Sequence, residues 1–387
     1  MDFGLSSELR MLRESVSEFA AKKIAPFADE WDEKHYFPYA EAIRPMGELG
    51  LFGSVIPEEY GGSEMGFLAA CIITEEIAKV SSSLRVQVHM QGLGCAFPIF
   101  KYGSEELKRK FVPKLCSAEY LGGFAISEPN AGSDVMSIQT TAKEKGNQWL
   151  LNGSKLWISN AHQADVIICY AYTDRSLGSK GLSAFVLDLK NLAGVTTTNL
   201  SKMGSHSSPT GEITFSDVAV PKENILGQPG DGARIVFSSL NQTRLSAAAG
   251  GVGAAQACLD LAVRYCGERE QFGQAIGKFQ MNQELIAQMA VDVEAARLLV
   301  YKAGWQKDEG NLNNGMEVAL AKYAAGEAAM KCANYAMRIM GAYGYSTEYP
   351  LARFYRDVPT YVMVEGSSNI CKQIIAMDML GYRKANR

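Results

Sequence analysis

Apolar residues recur every three or four positions in the first third of the chain, which is the spacing of one face of a helix. The first such stripe consists of Leu9, Leu12, Val16, Phe19, Lys23 and Ile24, with the lysine stem lying along the apolar face. More helical patterns follow to about residue 117, with breaks expected at Pro38, at 57–62 and at Pro98. The pattern predicts a helical N-terminal domain over residues 1–118.

The pattern changes to short alternating runs after Leu121 and the two glycines that follow it. Residues 148–151 and 154–158 flank Asn152-Gly153, a dipeptide that favours a two-residue hairpin turn. Further strand-like runs cover 165–173, 182–189, 194–200 and 212–220. Glycine-containing turns separate these runs, so we predict a central β domain over residues 119–226, folded as a small barrel or sandwich.

Helical periodicity returns after the glycine-rich linker 226–232. One stripe is formed by Leu285, Met289, Val293, Ala296 and Leu299, and a second by Ala321, Ala325, Ala328, Cys332, Tyr335 and Ile339. Charged residues fall mainly off the second stripe, namely Lys322, Glu327, Lys331 and Arg338. The last part, residues 227–387, is therefore predicted to be a helical bundle, and the whole chain an α+β multidomain protein.

Length and charge narrow the class of protein. A chain of 387 residues is too long for one typical core, so two or three domains are expected. A net charge of -4 without basic clusters argues against a nucleic-acid partner. The N-terminal segment is too charged for a signal peptide, and no later apolar run appears long enough to span a bilayer. We therefore predict a cytoplasmic protein without a membrane partner.

The residue types that bind metals are scattered. The eight cysteines occur singly, mostly among apolar neighbours, and the four histidines form no ligand pattern. These spacings predict buried free thiols and no metal site.

One carboxylate stands out in the run TYVMVEGSSNI, Thr360 to Ile370. Glu365 follows four apolar or aromatic residues and precedes the bend-prone Gly366-Ser-Ser. Burial among apolar groups disfavours the charged form, so we expect a raised pKa suited to proton abstraction at neutral pH. The alternative is that Glu365 caps the helix that begins near Ser368.

Two further motifs fit a bound cofactor. The run AISEPNAGSD, Ala125 to Asp134, predicts a turn rich in backbone N–H donors, suited to a polar or anionic group. Trp157 and Ser159 are two positions apart in a strand, hence on the same face, and pair an aromatic plane with a hydroxyl donor. An ordinary turn and ordinary packing are the alternatives for the two motifs.

Two glycine-containing runs lie in the helical part that follows. The run GEREQFG, Gly267 to Gly273, places a cation, an amide and an aromatic ring at a helix break, which suits a pyrophosphate and an adenine unless it is simply a solvated helix end. The run from Gly251 to Gln256 nearly matches GxGxxG, but it lacks the third glycine and the preceding strand. Close helix packing explains it better than a dinucleotide site.

These segments together resemble the acyl-CoA dehydrogenase family in order and spacing over essentially the whole chain. AISEPNAGSD and GAYGYSTEYPLARFYRD resemble its two signature regions, and VEGSSNI resembles its catalytic-base segment. The resemblance implies an N-terminal α domain, a central β-barrel and a C-terminal four-helix bundle, assembled as a homotetramer. It also implies bound FAD and an electron-transfer flavoprotein that accepts the electrons.

The resemblance assigns roles to individual residues. Glu365 would take the α-proton while hydride passes from the β-carbon to the flavin, and Ser133, Arg244 and Gly366 would contact the acyl-CoA. The flavin would be lined by Phe124, Ile126, Ser127, Gly132, Ser133, Trp157, Ile158 and Ser159, and met again by Ser367 and Asn369. The FAD of a neighbouring subunit would be reached by Arg269, Gln271, Phe272, Gln280, Arg338, Ile339, Gly341 and Ala342. Arg338 and Ala342 depart from the residues usual at those positions.

The substrate hypothesis depends on Arg85. It resembles the arginine that holds the distal carboxylate in the glutaryl-CoA dehydrogenases of this family, and a buried arginine needs an anionic partner. The alternative is a surface or interface arginine. Decarboxylating members have a glutamate seven residues before this arginine and a tyrosine just before the base, whereas this chain has Ala78 and Val364. It thus resembles the non-decarboxylating enzymes of anaerobic bacteria, which convert glutaryl-CoA to glutaconyl-CoA.

Other functions stay open at this point. A cyclic or aryl acyl-CoA from anaerobic aromatic degradation, such as cyclohexane-carboxyl-CoA or benzylsuccinyl-CoA, would involve His89 and Gln91 near the pocket. Decarboxylation to crotonyl-CoA and an oxidase that uses oxygen are two more alternatives. An FAD-binding scaffold without turnover is a different class, and the presence of Glu365 speaks against it.

Overall fold

The N-terminal part of the chain is helical. The computed structural model describes residues 4–382. Its first helices are α1 (Ser7–Lys23), α2 (Ala28–Glu33), α3 (Arg44–Glu48), α4 (Gly66–Ala78), α5 (Arg85–Val88), α6 (Phe97–Tyr102) and α7 (Glu105–Cys116). Ser6 caps α1 by accepting a hydrogen bond from the Leu9 amide at 3.2 Å. The predicted helical domain is confirmed.

A π-helical segment, His89–Ala96, joins α5 directly to α6. Pro98 therefore lies inside a continuous helical run from Arg85 to Tyr102, directly after the π-helical segment, and the helix break predicted there is wrong. Such π-helical segments often occur at functional sites because they re-aim side chains. Here the segment begins at His89.

The central part is a mixed β-sheet with helices against it. Its strands are β1 (Gly122–Ala125), β2 (Thr141–Lys145), β3 (Gln148–Ser159), β4 (Val166–Tyr172), β5 (Leu182–Asp188), β6 (Val195–Asn199), β7 (Thr210–Pro221) and β8 (Ile225–Leu226). Their order is β6-β7-β3-β2-β4-β5-β8, and β1 pairs in parallel with β4. All four runs predicted after residue 160 contain strands.

Strand β4 shows why this sheet lies at the centre of the molecule. Ile167 and Cys169 pack into the core of the β domain, whereas Ile168 and Tyr170 pack into the core shared with the helices. Successive side chains point to opposite faces of a strand, so β4 is apolar throughout because both of its faces are covered.

The predicted hairpin turn at Asn152-Gly153 is wrong. Strand β3 runs through it with a shift in its pairing to β7, and the turn lies instead at Gly146 and Asn147 between β2 and β3. Gly153 has a φ of +146°, and a Cβ there would lie 2.6 Å from Thr140 Oγ1. Asn152 accepts a hydrogen bond from the Asp217 amide at 2.9 Å. The dipeptide therefore forms a β-bulge.

We expect Gly153→Ala to lower the free energy of unfolding by about 2 kcal/mol, because it adds both an unfavourable φ and a steric clash. Gly146→Ala is the matched control, since it also has a positive φ (+60°) but an open Cβ position. Chemical denaturation of both variants measures the difference. Equal destabilisation of the two would show that the bulge does not need a glycine.

The C-terminal part is a helical bundle. Its long helices are α8 (Gly232–Glu268), α9 (Gln280–Asp308) and α10 (Gly315–Met340). The shorter elements are β9 (Glu270–Gln271), β10 (Gln274–Ala275), α11 (Ala342–Tyr345), α12 (Pro350–Asp357), α13 (Thr360–Met363) and α14 (Ser368–Met379). Both predicted stripes face the core, but Lys322, expected off the second stripe, is fully buried.

Small residues let α8 lie close to its neighbours. A Cβ on Gly251 would lie 3.0 Å from the Ala325 carbonyl oxygen of α10, and one on Gly253 would lie 2.3 Å from the Glu75 carbonyl oxygen of α4. The interpretation of this run as packing rather than as a dinucleotide site is confirmed.

Helix α8 also has the length and composition of a membrane span, with a mean hydropathy of 1.2 over its most apolar window. The expectation that no apolar run is long enough is therefore wrong for this helix. However, 78% of the window is buried inside the fold, as in a core helix of a soluble protein.

The segment RFYRD ties three parts of the chain together. Arg353 Nε donates to Asp29 Oδ1 at 2.7 Å, and Arg356 pairs with Asp32, both on α2. Asp357 Oδ1 accepts from the Ser205 amide, beyond β6, at 2.6 Å. The segment RFYRD, which belongs to the second signature region, therefore connects α12 to the helical N-terminal part and to the β domain.

Candidate active site

Glu365 lies on a short, conformationally unusual connection between α13 and α14. Its φ is +56° and that of Gly366 is +92°. A Cβ on Gly366 would lie 3.0 Å from Arg244 Nε, so only glycine leaves room for that guanidinium. Ser367, not Glu365, caps α14 by accepting from the Ile370 amide at 3.4 Å. The capping alternative for Glu365 is therefore wrong.

Three side chains hold Glu365 in place. His89 Nε2 lies 3.1 Å from Oε1, and Thr243 Oγ1 donates to Oε2 at 2.5 Å. Arg244 Nε donates to the Glu365 backbone carbonyl at 2.8 Å. Only 14% of the Glu365 side chain is exposed. Its carboxylate is therefore fixed by polar contacts rather than surrounded by apolar groups.

The expected raised pKa of Glu365 is wrong. Burial does raise it, but the charge and hydrogen bond of His89, the Thr243 hydroxyl and the charge of Arg244 outweigh burial and lower the pKa to about 2. Hydrogen bonds and positive charge favour the ionised carboxylate. Glu365 is therefore ready to accept a proton at neutral pH.

Arg85 is a buried cation without an anion. Only 4% of it is exposed, which excludes a surface position in this chain, and within residues 4–382 no carboxylate pairs with it. Its Nε has no hydrogen-bond partner there, and its guanidinium lies 4.9 Å from the ring centroid of Tyr361. Gly250 leaves space for it, because a Cβ there would lie 3.0 Å from Arg85 Cδ.

Arg85 and Glu365 belong to one site. His89, which contacts Glu365, is one helical turn after Arg85, so the two side chains start about 6 Å apart on the same face. Arg244 and Gly250, which touch the two ends, are six residues apart on α8, or about 9 Å along the helix. An ionised carboxylate and a cation without a counter-ion thus lie within reach of one small ligand.

Lys322 and Gln91 have structural roles near this site. Lys322 donates to the Tyr361 carbonyl, and burial lowers its pKa to about 8. Gln91 donates to the Tyr120 carbonyl at 2.8 Å and accepts from the Gly122 amide, which fixes the start of β1. Of the two residues expected near the pocket, His89 therefore contacts the base and Gln91 supports the sheet.

The turn after β1 offers free donors, as predicted. Within the described residues the backbone amides of Gly132 and Ser133 have no acceptor, and both residues are exposed. Glu128 is occupied elsewhere, because its carboxylate pairs with buried Lys155 at 2.7 Å. The free amides, rather than the acid, are the groups available to a ligand.

The regular alternation that was expected to place Trp157 and Ser159 on the same strand face is interrupted in β3. The pairing of β3 shifts between Lys155 and Ile158, and Trp157 has a φ of +63°. The indole is 58% exposed. By contrast, Phe124 is buried edge-to-face against Tyr170, and Ile158 is buried in the β core. The exposed aromatic plane is therefore Trp157.

The predicted adenine-end residues lie together on another exposed surface. The hairpin of β9 and β10 carries Phe272, which is 93% exposed, and Gln280 is exposed at the start of α9. The Arg269 guanidinium lies 5.5 Å from the ring centroid of Tyr343, next to the exposed Gly341 and Ala342. Ile339 is buried, whereas Arg338 is exposed. No hydrogen bond or ion pair of the described chain joins this surface to Glu365.

The chain belongs to the acyl-CoA dehydrogenase family. The models of its N-terminal, middle and C-terminal domains match residues 6–119, 123–218 and 230–380. FAD is the cofactor of this family. The Leu156 amide donates to the Ser127 carbonyl at 2.8 Å, so the strand of the exposed Trp157 adjoins the segment that carries the free amides. An exposed indole and free polar donors on adjoining segments fit a flat ring with polar edges, so the residues present agree with that cofactor.

Individual relatives are highly similar. The chain is 71% identical over 389 aligned residues to glutaryl-CoA dehydrogenase of Desulfococcus multivorans, covering 100% of both chains. A solved structure of a glutaryl-coenzyme A dehydrogenase glutaryl-CoA complex has a TM-score of 0.99 at 70% identity, covering 100% of this chain and 98% of that one. A chain from a structure described as the electron transferring flavoprotein of Acidaminococcus fermentans has a TM-score of 0.96 at 38% identity, covering 98% and 100%.

Proposed function

We propose that this protein oxidises glutaryl-CoA to glutaconyl-CoA without decarboxylation. The observation that carries the proposal is Arg85, a buried guanidinium for which no described residue supplies a counter-ion. A buried unpaired cation is costly, so a site that keeps one is built for an anion that arrives with the ligand. Glutaryl-CoA carries a carboxylate at the end of its acyl chain, and its α-carbon lies a few ångströms from that carboxylate.

Glu365 acts as the base in this proposal. Its carboxylate takes the α-proton, while Thr243 and His89 keep it oriented. The Glu365 amide has no acceptor among residues 4–382, so it is free to donate to the thioester oxygen as negative charge develops there. Arg244 fixes the backbone that carries both groups. FAD, when bound, supplies the acceptor for the hydride that leaves the β-carbon.

The remaining binding roles are proposed from the resemblance to the acyl-CoA dehydrogenase family. Gly366, Ser133, Arg244 and Arg85 contact the acyl-CoA. The flavin-side residues are Phe124, Ile126, Ser127, Gly132, Ser133, Trp157, Ile158, Ser159, Ser367 and Asn369. The exposed surface at Arg269, Gln271, Phe272, Gln280, Arg338, Ile339, Gly341 and Ala342 meets the FAD of a neighbouring subunit.

The proposed absence of decarboxylation depends on two positions of the chain, Ala78 and Val364. Ala78 is fully buried, and its Cβ lies 2.8 Å from the Cβ position of Gly253, so this position offers neither an acid nor the space for one. Val364, just before the base, offers no phenol. The Tyr361 hydroxyl is bonded to Ser82 Oγ at 3.0 Å. With no acid or added phenol to loosen the ion pair, the distal carboxylate stays on Arg85.

The assembly and the electron acceptor are also proposals. Large apolar side chains are exposed along α9 and the hairpin before it, including Phe272, Met281, Val291 and Trp305. Such exposure is typical of a subunit interface, which supports a homotetramer. An electron-transfer flavoprotein is the proposed acceptor, in the cytoplasm. The proposed domain boundaries are residues 1–118, 119–226 and 227–387.

A panel of thioesters tests the substrate. With an artificial electron acceptor, we expect turnover of glutaryl-CoA to exceed that of butyryl-CoA and cyclohexane-carboxyl-CoA, which lack a free carboxylate, by about 100-fold, the worth of a buried charge pair. Benzylsuccinyl-CoA keeps a free carboxylate and tests instead whether the pocket accepts an aryl ring. Initial rates at equal substrate concentration measure this. A preference for butyryl-CoA or cyclohexane-carboxyl-CoA would contradict the role of Arg85, and a preference for benzylsuccinyl-CoA would contradict glutaryl-CoA as the substrate.

A further inference from the structure

Within residues 4–382, His89 is the one ionisable side chain that is hydrogen-bonded to the carboxylate of Glu365, since the Arg244 guanidinium bonds the backbone carbonyl. His89 is 2% exposed, and its other ring nitrogen, Nδ1, has no partner among the described residues. An ionised carboxylate can only accept hydrogen bonds, so Nε2 must carry the proton in this contact. Its position at the start of the π-helical segment points the ring at the base.

We propose that His89 is a positioning residue, whose Nε2–H holds the Glu365 carboxylate in one orientation. The proposal rests on the proposed role of Glu365 as base. Glu365 lies between α13 and α14 and not within a helix, so neighbouring residues of its own segment do not restrain the carboxylate. Its two oxygens are bound instead by residues of two other elements. Thr243 on α8 holds Oε2, and His89 holds Oε1.

Other charged or ionisable groups face the same carboxylate. Arg244 lies on α8, Lys322 on α10 and Cys371 on α14, and Arg85 is one turn before His89. Arg244 and Lys322 are bonded to the backbone carbonyls of Glu365 and Tyr361, so neither touches the carboxylate oxygens. None of these four groups is hydrogen-bonded to a carboxylate oxygen of Glu365, whereas His89 Nε2 is bonded to Oε1. Substituting His89 therefore removes a hydrogen-bond donor from the carboxylate.

Two substitutions separate the donor from the ring. His89→Leu removes the donor at similar volume, and His89→Gln keeps an N–H donor that does not titrate. We expect His89→Leu to slow deuterium uptake at the α-carbon of glutaryl-CoA in D2O by about 10-fold to 100-fold, the usual worth of a charge-assisted hydrogen bond. This exchange reports proton transfer alone, without an electron acceptor. The KM should change little.

The pH profile gives a second readout. In His89→Leu, burial would still raise the pKa of Glu365, but the opposing effect of His89 would be gone. The acid limb of kcat/KM should therefore move upward by about one pH unit or more. His89→Gln keeps the hydrogen bond but not the charge, so its acid limb should move less than that of His89→Leu, and most of the exchange rate should be recovered. Equal exchange and an unchanged limb in His89→Leu, or identical behaviour of the two variants, would overturn the proposal.

Glu365→Gln separates this test from the proposed function. If Glu365→Gln still exchanges the α-proton, the base has been misassigned and the failure belongs to the proposed function. If it does not exchange while His89→Leu matches the wild type, the base stands and the role of His89 is refuted.

Discussion

Replacing Glu365 by glutamine should lower turnover with glutaryl-CoA by about 1,000-fold or more, because it removes the general base while keeping size and shape. The amide retains an oxygen for the Thr243 hydroxyl and the backbone carbonyl for Arg244, so folding should be preserved. Steady-state rates with an artificial acceptor measure the loss. The yellow flavin should stay bound at wild-type stoichiometry.

Glu327→Gln is the matched control. Glu327 lies on α10 and accepts a hydrogen bond from Ser368 Oγ at 2.8 Å, so it contacts the segment that follows Glu365 but not the Glu365 carboxylate. Its substitution should leave turnover within about twofold, as is usual for surface changes away from the reacting atoms. Retained turnover in Glu365→Gln, or an equal loss in both variants, would contradict the assignment of Glu365 as base.

Replacing Arg85 by methionine should lower kcat/KM for glutaryl-CoA by about 100-fold to 1,000-fold, which corresponds to leaving the distal carboxylate buried and unpaired. The rate with butyryl-CoA, which lacks this carboxylate, should be kept or improved. The melting temperature should not fall, because removing an unpaired buried charge does not cost folding free energy. These three measurements separate substrate recognition from damage to the fold.

Arg85→Lys tests the shape of the cation. Lysine keeps the charge but loses the planar, bidentate donors, so we expect part of the activity with glutaryl-CoA to return. A uniform loss with glutaryl-CoA and butyryl-CoA in Arg85→Met would indicate a structural role, and the substrate proposal would then fail.

Most of the helices and strands were predictable because the spacing of apolar residues along the chain determines which face of each element is buried. The stripes on α9 and α10 and the apolar runs of β4 and β5 all lie in the cores expected of them. The failures occurred where one residue type suits two structures. Asn152-Gly153 favours a hairpin turn locally, but the longer ladder between β3 and β7 incorporates it as a bulge. A proline usually breaks a helix in its interior, but at Pro98 the helical run continues directly out of a π-helical segment.

The sequence singles out Glu365 and Arg85, but it does not predict the electrostatics around them. Glu365 and Arg85 were assigned through the family resemblance, and their burial agrees with those roles. The pKa direction of Glu365 was wrong because the neighbouring sequence is apolar, while the groups that set the pKa come from α8 and from the segment after α5. Thr243 was missed although it directly precedes Arg244. A contact between residues 89 and 365 leaves no trace in a single sequence.

We propose that the distal carboxylate of glutaryl-CoA is retained in the product. The most direct test is anaerobic incubation of the purified protein with glutaryl-CoA and an artificial electron acceptor, followed by mass analysis of the thioester product. We expect glutaconyl-CoA as the main product, without release of CO2. Crotonyl-CoA with stoichiometric CO2 would contradict the account and show that Ala78 and Val364 do not prevent decarboxylation.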